Sequence, residues 1–346
     1  MLDQLNLESN SLVPKYIQII DAVIQNITLG ILKKGDKLPS INKLSEEYYL
    51  SRDTVEKAYG VLKKRKVIVS VQGKGSFVAK TKLISKLNVL FLVNKLSPYK
   101  MRVYNAFLKA LDTKSHVDLH SYHCDESLFV ELIEKYKGAY DYYVIMPHFR
   151  NENLSYMNFT APINEAINKI PKEQLVLLDN NKHHIKGNYI GVYQDFENDI
   201  FSALELAKSK IENYSKISII FPKKVFYPYP KRILDGFVKF CHLNKINFDV
   251  KEQISKDERI EKQTLYITLE DDDLVALVNK TRALNYKLGK DVGLISYNDT
   301  SLKQLLGITV ISTNFDTMGT LAAQYILDNK KEKVNAPFSF IERESA

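Results

Sequence analysis

Arg52, Thr54 and Lys57 lie close together in LSRDTVEKAY, residues 50–59. Val55, Ala58, Tyr59 and Leu62 recur at helical spacing and point one way, which leaves those three, with Lys63 and Lys64, on the outward side. A guanidinium, a hydroxyl and an ammonium placed there can donate hydrogen bonds to base edges and neutralise phosphates. Gln72-Gly73-Lys74-Gly75 follows, between the short β-prone runs Val67-Ile68-Val69 and Phe77-Val78, and so predicts a hairpin tip. Its glycines let backbone approach a sugar-phosphate chain closely, and Lys74 supplies charge.

Three helices must position these groups. Pro14 precedes an apolar-periodic run, Tyr16, Ile17, Ile20, Val23, Ile24 and Ile27, which predicts a helix with one buried face that Gly30 ends. Gly35-Asp36 makes a turn, and Ser40 after Pro39 is placed to cap a second helix running to about Tyr48. Leu50 is expected as a buried hinge residue, and Ser51 caps the third helix. The charge is distributed to match. Residues 1–82 hold 14 Lys/Arg against 8 Asp/Glu, whereas the rest of the chain holds 35 against 33. Phosphate neutralisation needs that localisation and general solubility does not. The bland alternative for Lys63-Lys64-Arg65-Lys66 is a solvated helix end favoured by the macrodipole.

Over residues 10–80 the chain resembles the DNA-binding domain of the GntR family of bacterial regulators. The resemblance rests on Pro14-Lys15-Tyr16, Gly35 through Ser40, Leu50-Ser51-Arg52, Thr54-Val55, Ala58-Tyr59 and Gly73 through Val78. It implies a winged helix-turn-helix with the third helix in the major groove and the wing tip in the minor groove. The implied DNA-binding residues are Ser40, Lys43, Ser51, Arg52, Thr54, Lys57, Gln72, Gly73, Lys74 and Gly75. Asn42 stands where the family has Arg, so that contact is expected to shift to Lys43.

Beyond the polar stretch at 79–86, strand-like apolar runs at 87–93, 141–146, 174–178, 216–221, 264–269 and 291–297 alternate with helix-length segments. Repeated β-then-α order predicts parallel sheets covered on both faces, in about two halves, with ligands bound at the carboxyl ends of the strands. Val292 through Thr300, then Ile308 through Gly319, resemble the effector domain of LacI-type repressors, itself similar to periplasmic sugar-binding proteins. Leu177-Leu178-Asp179, Gly191 through Asp195, and Arg232 with Gly236-Phe237 add to the match. Ser296 replaces the family's Gly, Asn298 replaces its usual Asp, and Arg232 lies four residues before Gly236 instead of three.

The second resemblance implies two lobes joined by three crossings and closing on a small polar ligand. Asn298 would bond sugar hydroxyls, Phe315 would stack on the ring, Thr313 would bond beside it, and Arg232 would reach in from the opposite lobe. Asp179 and Asp195 are strand-end acceptors, Tyr99 and His148 are offered by loops, and Glu270 or Asp271 face the cleft or open a helix. Strand-end Asp and Asn also commonly cap helices, and Phe315 would serve equally as core. Tyr227-Pro228-Tyr229-Pro230 reads as a cleft lid or a plain turn.

His116, His120, His123 and Cys124 invite a metal reading, but on a strand residues four apart stand about 13 Å from one another, so none is expected. His183-His184 reads as a solvated loop. With 45% hydrophobic residues, 21 Tyr and 16 Phe, the 346 residues suffice for two or three domains. Two cysteines, no stretch of 18 apolar residues and no charged-then-apolar leader fit a cytoplasmic protein without a membrane span or secretory signal.

The expected fold class is α/β. A winged helix-turn-helix (1–78) and a linker (79–86) precede a two-lobed, periplasmic-binding-protein-like domain with doubly wound parallel sheets. Its first lobe is 87–191 with 315–330, and its second is 192–314 with 331–346. The expected function is sequence-specific regulation of transcription, as a homodimer on near-palindromic operator DNA with a monosaccharide-like effector, no cofactor, no metal and no membrane partner. Rival readings are a regulator sensing a non-sugar molecule, a sugar-acting enzyme with an accessory DNA-binding domain, and architectural DNA binding.

Overall fold

A computed structural model describes residues 14–28, 30–64, 67–79, 87–111, 115–157, 159–180, 185–223 and 225–346. The 80–86 part of the linker, Arg65, Lys66, His183 and His184 lie outside these. The chain folds as two compact units, one N-terminal and one C-terminal.

The N-terminal unit comprises α1 (Lys15–Thr28), α2 (Ile41–Glu47), α3 (Arg52–Lys64), β1 (Ile68–Val71) and β2 (Gly75–Val78). Val55, Ala58, Tyr59 and Leu62 of α3 are buried against Ile19, Ile20, Val23 and Ile27 of α1 and Leu44 of α2. Burial of each large side chain contributes about 1.5–3 kcal/mol. The buried stripe of α1 includes Ile19, while Ile17 and Ile24 are only half-buried. Leu50 is likewise half-buried; it follows Tyr49, whose backbone is left-handed (φ 52°), and its carbonyl accepts from the Ser45 hydroxyl at 2.5 Å. Tyr59 ties α3 to the strap before α2 by donating its hydroxyl to the Pro39 carbonyl at 2.8 Å. β1 and β2 pair antiparallel with Ile68 opposite Val78, and Lys37 bridges to Phe77 on the outer edge.

The C-terminal unit opens with β3 (Leu87–Val93), α4 (Pro98–Leu111), β4 (Ser115–Ser121), α5 (Glu126–Lys135) and β5 (Tyr142–Ile145). A small hairpin, β6 (Phe149–Arg150) and β7 (Tyr156–Met157), leads to α6 (Ala161–Asn168), β8 (Leu175–Asn180) and β9 (Ile190–Gln194). The chain continues through α7 (Phe196–Leu206), α8 (Lys208–Ile211), β10 (Lys216–Ile220), α9 (Lys231–Leu243), β11 (Phe248–Lys251) and β12 (Thr264–Thr268). Next come α10 (Asp271–Ala283), β13 (Val292–Tyr297), α11 (Ser301–Leu305) and β14 (Thr309–Thr313). It ends with α12 (Phe315–Leu327), β15 (Lys333–Asn335) and β16 (Phe338–Ile341).

Two six-stranded sheets result, ordered β15-β9-β8-β5-β3-β4 and β11-β10-β12-β13-β14-β16. Pairing is parallel across β8 and β9 and from β10 to β14, and β16 closes its sheet antiparallel to β14. Every residue of β8, β12, β13 and β14 is buried, as strands covered on both faces must be.

The chain crosses between the sheets after Gln194, after Thr313 and after Asn335. The lobe boundaries expected at 191 and 331 therefore move. β9 pairs with β8 through Gln194, and β15 pairs with β9 opposite Gly191 to Tyr193, so hydrogen bonding keeps 192–194 and 333–335 in the first lobe. α12 packs so closely on α4 that a Cβ on Gly319 would lie 2.2 Å from the Val103 carbonyl oxygen. No described helix is long and apolar enough to cross a membrane.

The His116 to Cys124 segment divides at its end. His116 and His120 lie on β4, and His123 and Cys124 turn away with φ of 51° and 60°. Cys124 is buried and accepts a hydrogen bond from Asn94 Nδ2 at 3.3 Å.

Candidate functional site

In the N-terminal unit, Ser40 caps α2 by accepting from the Lys43 backbone N–H at 3.1 Å. Ser51 caps α3 by accepting from Thr54 N–H at 3.2 Å, and its hydroxyl also meets the Thr54 hydroxyl at 2.7 Å. These caps fix the first turn of α3 and leave Arg52 exposed on it. Lys43 and Lys57 are exposed too, but the Lys57 ammonium sits 4.0 Å above the Tyr16 ring, a cation–π contact that ties it to α1. Gln72, Gly73, Lys74 and Gly75 are all exposed. Gly73 and Gly75 have φ of 73° and 107°, which L-residues adopt only with strain, so the tight tip requires glycine.

In the C-terminal unit a cavity of about 50 Å³ lies at the carboxyl ends of both sheets, several times the space one water needs. Asn94 and Lys95 reach it from the end of β3, His148 from beyond β5, Asp179 from β8 and Gln194 from the end of β9. The second lobe contributes Phe196, Tyr227 through Pro230, Ile233, Tyr297 and Asn298, and Phe315 lies just past a crossing.

One part of this wall is satisfied internally. Lys100 and Asp179 form an ion pair whose side chains are each 5% exposed. The second Asp179 oxygen accepts from Gln194 Nε2, and Gln194 Oε1 accepts from the Thr313 hydroxyl at 2.5 Å. The chain Lys100–Asp179–Gln194–Thr313 thus runs from α4 through β8 and β9 to the end of β14, beside two of the crossings. Asp179 holds a left-handed backbone (φ 74°) to make it, a strain that surrounding contacts must over-determine. His148 is also committed. Its Nε2 lies 2.5 Å from the Pro228 carbonyl oxygen, which can only accept, so Nε2 carries the proton. Burial, then the neighbouring Lys100 charge, pushes its pKa down to about 4, so the ring is neutral near pH 7.

The other part is not satisfied. Asn94 Oδ1, the Tyr297 hydroxyl and Asn298 Oδ1 are buried and have no hydrogen-bond partner among the described residues. Each such group costs about 1–3 kcal/mol until something bonds to it. Burial holds the Tyr297 phenol well above its ordinary pKa, so it keeps its proton and can donate as well as accept. Asn298 sits at φ 64°. Its carbonyl and that of Tyr297 accept from the buried Lys303 ammonium at 3.0 and 2.9 Å, and Asp271 pairs with the same ammonium at 3.0 Å. Lys303 therefore holds the turn that aims both unsatisfied side chains.

Aromatic side chains line the same cavity. Tyr99 and Phe315 stack with ring centroids 5.2 Å apart, and the Lys95 ammonium lies 4.7 Å from the Tyr227 ring and 5.9 Å from that of Tyr99. Desolvation lowers the Lys95 pKa, and Glu270 opposes that shift.

Of the expected effector residues, the structure brings together Tyr99, His148, Asp179, Asn298 and Phe315, and the other five lie outside the lining. Arg232 pairs with Asp195 at 2.5 Å where α9 packs on α7, so the two neutralise one another. Glu270 occupies the N-cap position of α10, Asp271 serves Lys303, and Thr313 stands behind Gln194. Asp179 lines the cavity, but with both oxygens engaged it is a scaffold and not a waiting acceptor. Residues not foreseen are Asn94, Lys95, Lys100, Gln194, Phe196, Ile233 and Tyr297. Asn94, Lys95, Gln194 and Tyr297 each lie at a strand's carboxyl end, a signal that finds them. Lys100 lies within a helix and gives no such signal.

Residues 15–78 match the family model described as bacterial regulatory proteins, gntR family, and this segment is a GntR-family helix-turn-helix domain. The arabinose metabolism transcriptional repressor of Geobacillus stearothermophilus is 35% identical over 69 residues, 20% of this chain and 19% of that protein. The transcriptional repressor YtrA of Bacillus subtilis is 35% identical over 83 residues, 23% of this chain and 64% of its own length. The chain thus spans less than two thirds of these curated relatives.

Solved structures match the larger part of the chain. The trehalose repressor from Escherichia coli has a TM-score of 0.60 at 16% identity, covering 74% of this chain and 100% of that one. A LacI family transcriptional regulator from Enterococcus faecium with bound ribose has a TM-score of 0.54 at 18% identity, covering 75% and 98%. The C-terminal unit has the two-lobed fold of LacI-type effector domains.

Proposed function

We propose that this chain, a GntR-type DNA reader joined to a LacI-type cleft, is a transcription regulator, repressor-like as its relatives are, whose operator affinity changes when the cleft binds a monosaccharide or close derivative. One observation carries the reading: Asn94, Tyr297 and Asn298, each with a buried polar atom that has no partner among the described residues, line one cavity together with the stacked rings of Tyr99 and Phe315. A sugar ring has that duality, with hydroxyls along its edge and an apolar face. A regulator of the same fold bearing ribose supports the ligand class. The exposed Arg52 and the glycine-bent wing support DNA contact. A single recognition helix discriminates too little alone, so the operator is near-palindromic and the regulator a homodimer.

The first test is a thermal-shift screen of pentoses, hexoses, deoxysugars and their phosphates. A binder present at a hundredfold excess over its Kd should stabilise the protein by about 2.7 kcal/mol. No response to any of them, or turnover of one, sinks the reading. Tyr297→Phe sharpens it. Removing an unsatisfied buried hydroxyl should leave the midpoint unchanged or slightly higher, while the stabilisation by sugar drops by about 1 kcal/mol. Isothermal titration of both variants separates the two effects, and an undiminished sugar affinity removes Tyr297 from the site.

A further inference from the structure

The loop between β10 and α9 extends from the second lobe, and Pro228 and Pro230 stiffen its tip. The first lobe grips it at three points. Arg150 Nη1 donates to the Phe226 carbonyl at 2.8 Å, and the same guanidinium lies 3.6 Å from the centroid of the Phe226 ring. His148 Nε2 donates to the Pro228 carbonyl, and the Lys95 ammonium rests on the Tyr227 ring. Arg150 does not line the cavity, so ligand contact does not account for its placement.

What holds Arg150 is rigid. It pairs with Tyr156 in the β6–β7 hairpin, and its N–H donates to the Cys124 carbonyl at 3.1 Å. The preceding Phe149 is fully buried, edge-on to Phe129 and Phe159. A planar cation that both stacks on a ring and donates to the same residue's carbonyl makes a two-point clasp that lysine cannot reproduce.

We infer that Arg150 is a positioning residue that fastens the aromatic flap Phe226–Pro230 of one lobe onto the other and so sets how long a ligand stays in the cleft. The inference rests on the cleft reading above, but the clasp itself is measurable without any sugar. The chain contains no tryptophan, so Phe226→Trp in the full-length protein installs a single fluorescent reporter at the clasp.

With no sugar added, Arg150→Ala in that background should shift the indole emission to the red and raise its acrylamide quenching constant about twofold. Arg150→Lys, which keeps the charge, should resemble alanine and not arginine, and it serves in place of alanine should that variant fail to fold. With L-arabinose, D-ribose and D-glucose as probes, a bound sugar should leave the Arg150→Ala protein about tenfold faster, the size of one lost charge-assisted hydrogen bond. Unchanged emission and quenching overturn the clasp. Changed quenching with no pentose, hexose, deoxysugar or sugar phosphate of the thermal-shift screen bound by any variant upholds the clasp and rejects the cleft reading. Changed quenching with an unaltered dissociation rate overturns its role in retention.

Discussion

Replacing Asp179 with alanine should cost the C-terminal domain about 3–5 kcal/mol of stability, the range for breaking one side of a buried ion pair. The size follows from what remains behind. Lys100 would keep a charge at a position 4% exposed with its carboxylate gone, and the Gln194 amide would lose its acceptor. Gln194 also receives the Thr313 hydroxyl, so the damage reaches β9 and β14 where each crosses between lobes. Urea unfolding of the full-length protein, followed by circular dichroism, reads the change. The double variant Asp179→Leu with Lys100→Met should recover most of the loss, because an apolar pair of similar volume often replaces a buried ion pair without penalty. A single-variant cost below about 1 kcal/mol would mean that the pair is not the buried keystone described.

Arg52→Ala should weaken specific operator binding by about 1–3 kcal/mol, roughly 5- to 150-fold, if its guanidinium reads a base edge. Arg52 is exposed on the first turn of α3, held there by the Ser51 cap, so its removal should change stability by less than about 0.5 kcal/mol. Fluorescence anisotropy at one fixed salt concentration measures the loss, and a non-specific duplex provides the comparison. Equal weakening on both duplexes would reassign Arg52 to phosphate contact. Lys57→Ala is the informative contrast. Its ammonium lies over Tyr16, so part of its effect should appear as loosened packing of α1 on α3.

Much of the fold was legible because each element obeyed a local rule. The apolar runs at 87–93, 174–178, 264–269 and 291–297 coincide with β3, β8, β12 and β13, since strands buried on both faces have no polar alternation to confuse them. Ser40 and Ser51 cap the helices expected of them. β15 was not legible: Lys333, Val334 and Asn335 are short and polar, and only pairing with β9 makes them a strand. That single pairing moved a lobe boundary.

The cleft divides in the same way. Asn298 and Phe315 were found through the resemblance, and both line the cavity. Arg232 and Asp195 lie outside the lining: a residue's type does not reveal whether its charge is already matched, and α7 packing on α9 brings the two together. Tyr297 is hard to single out in the sequence, because a tyrosine ending an apolar strand reads as core. Its ring is core, and its place at the carboxyl end of β13 and its unsatisfied hydroxyl are what make it a candidate.

The central claim is that occupancy of the cleft and grip on DNA share one free energy. Its most direct test is the operator Kd measured with and without a saturating concentration of a sugar that binds, for the natural protein and for Asn298→Ala. Coupling of about 1–3 kcal/mol predicts a 5- to 150-fold change in the natural protein and none in Asn298→Ala, whose sugar-free affinity should be unaltered. An operator Kd that stays the same with every sugar that binds the cleft would contradict the account.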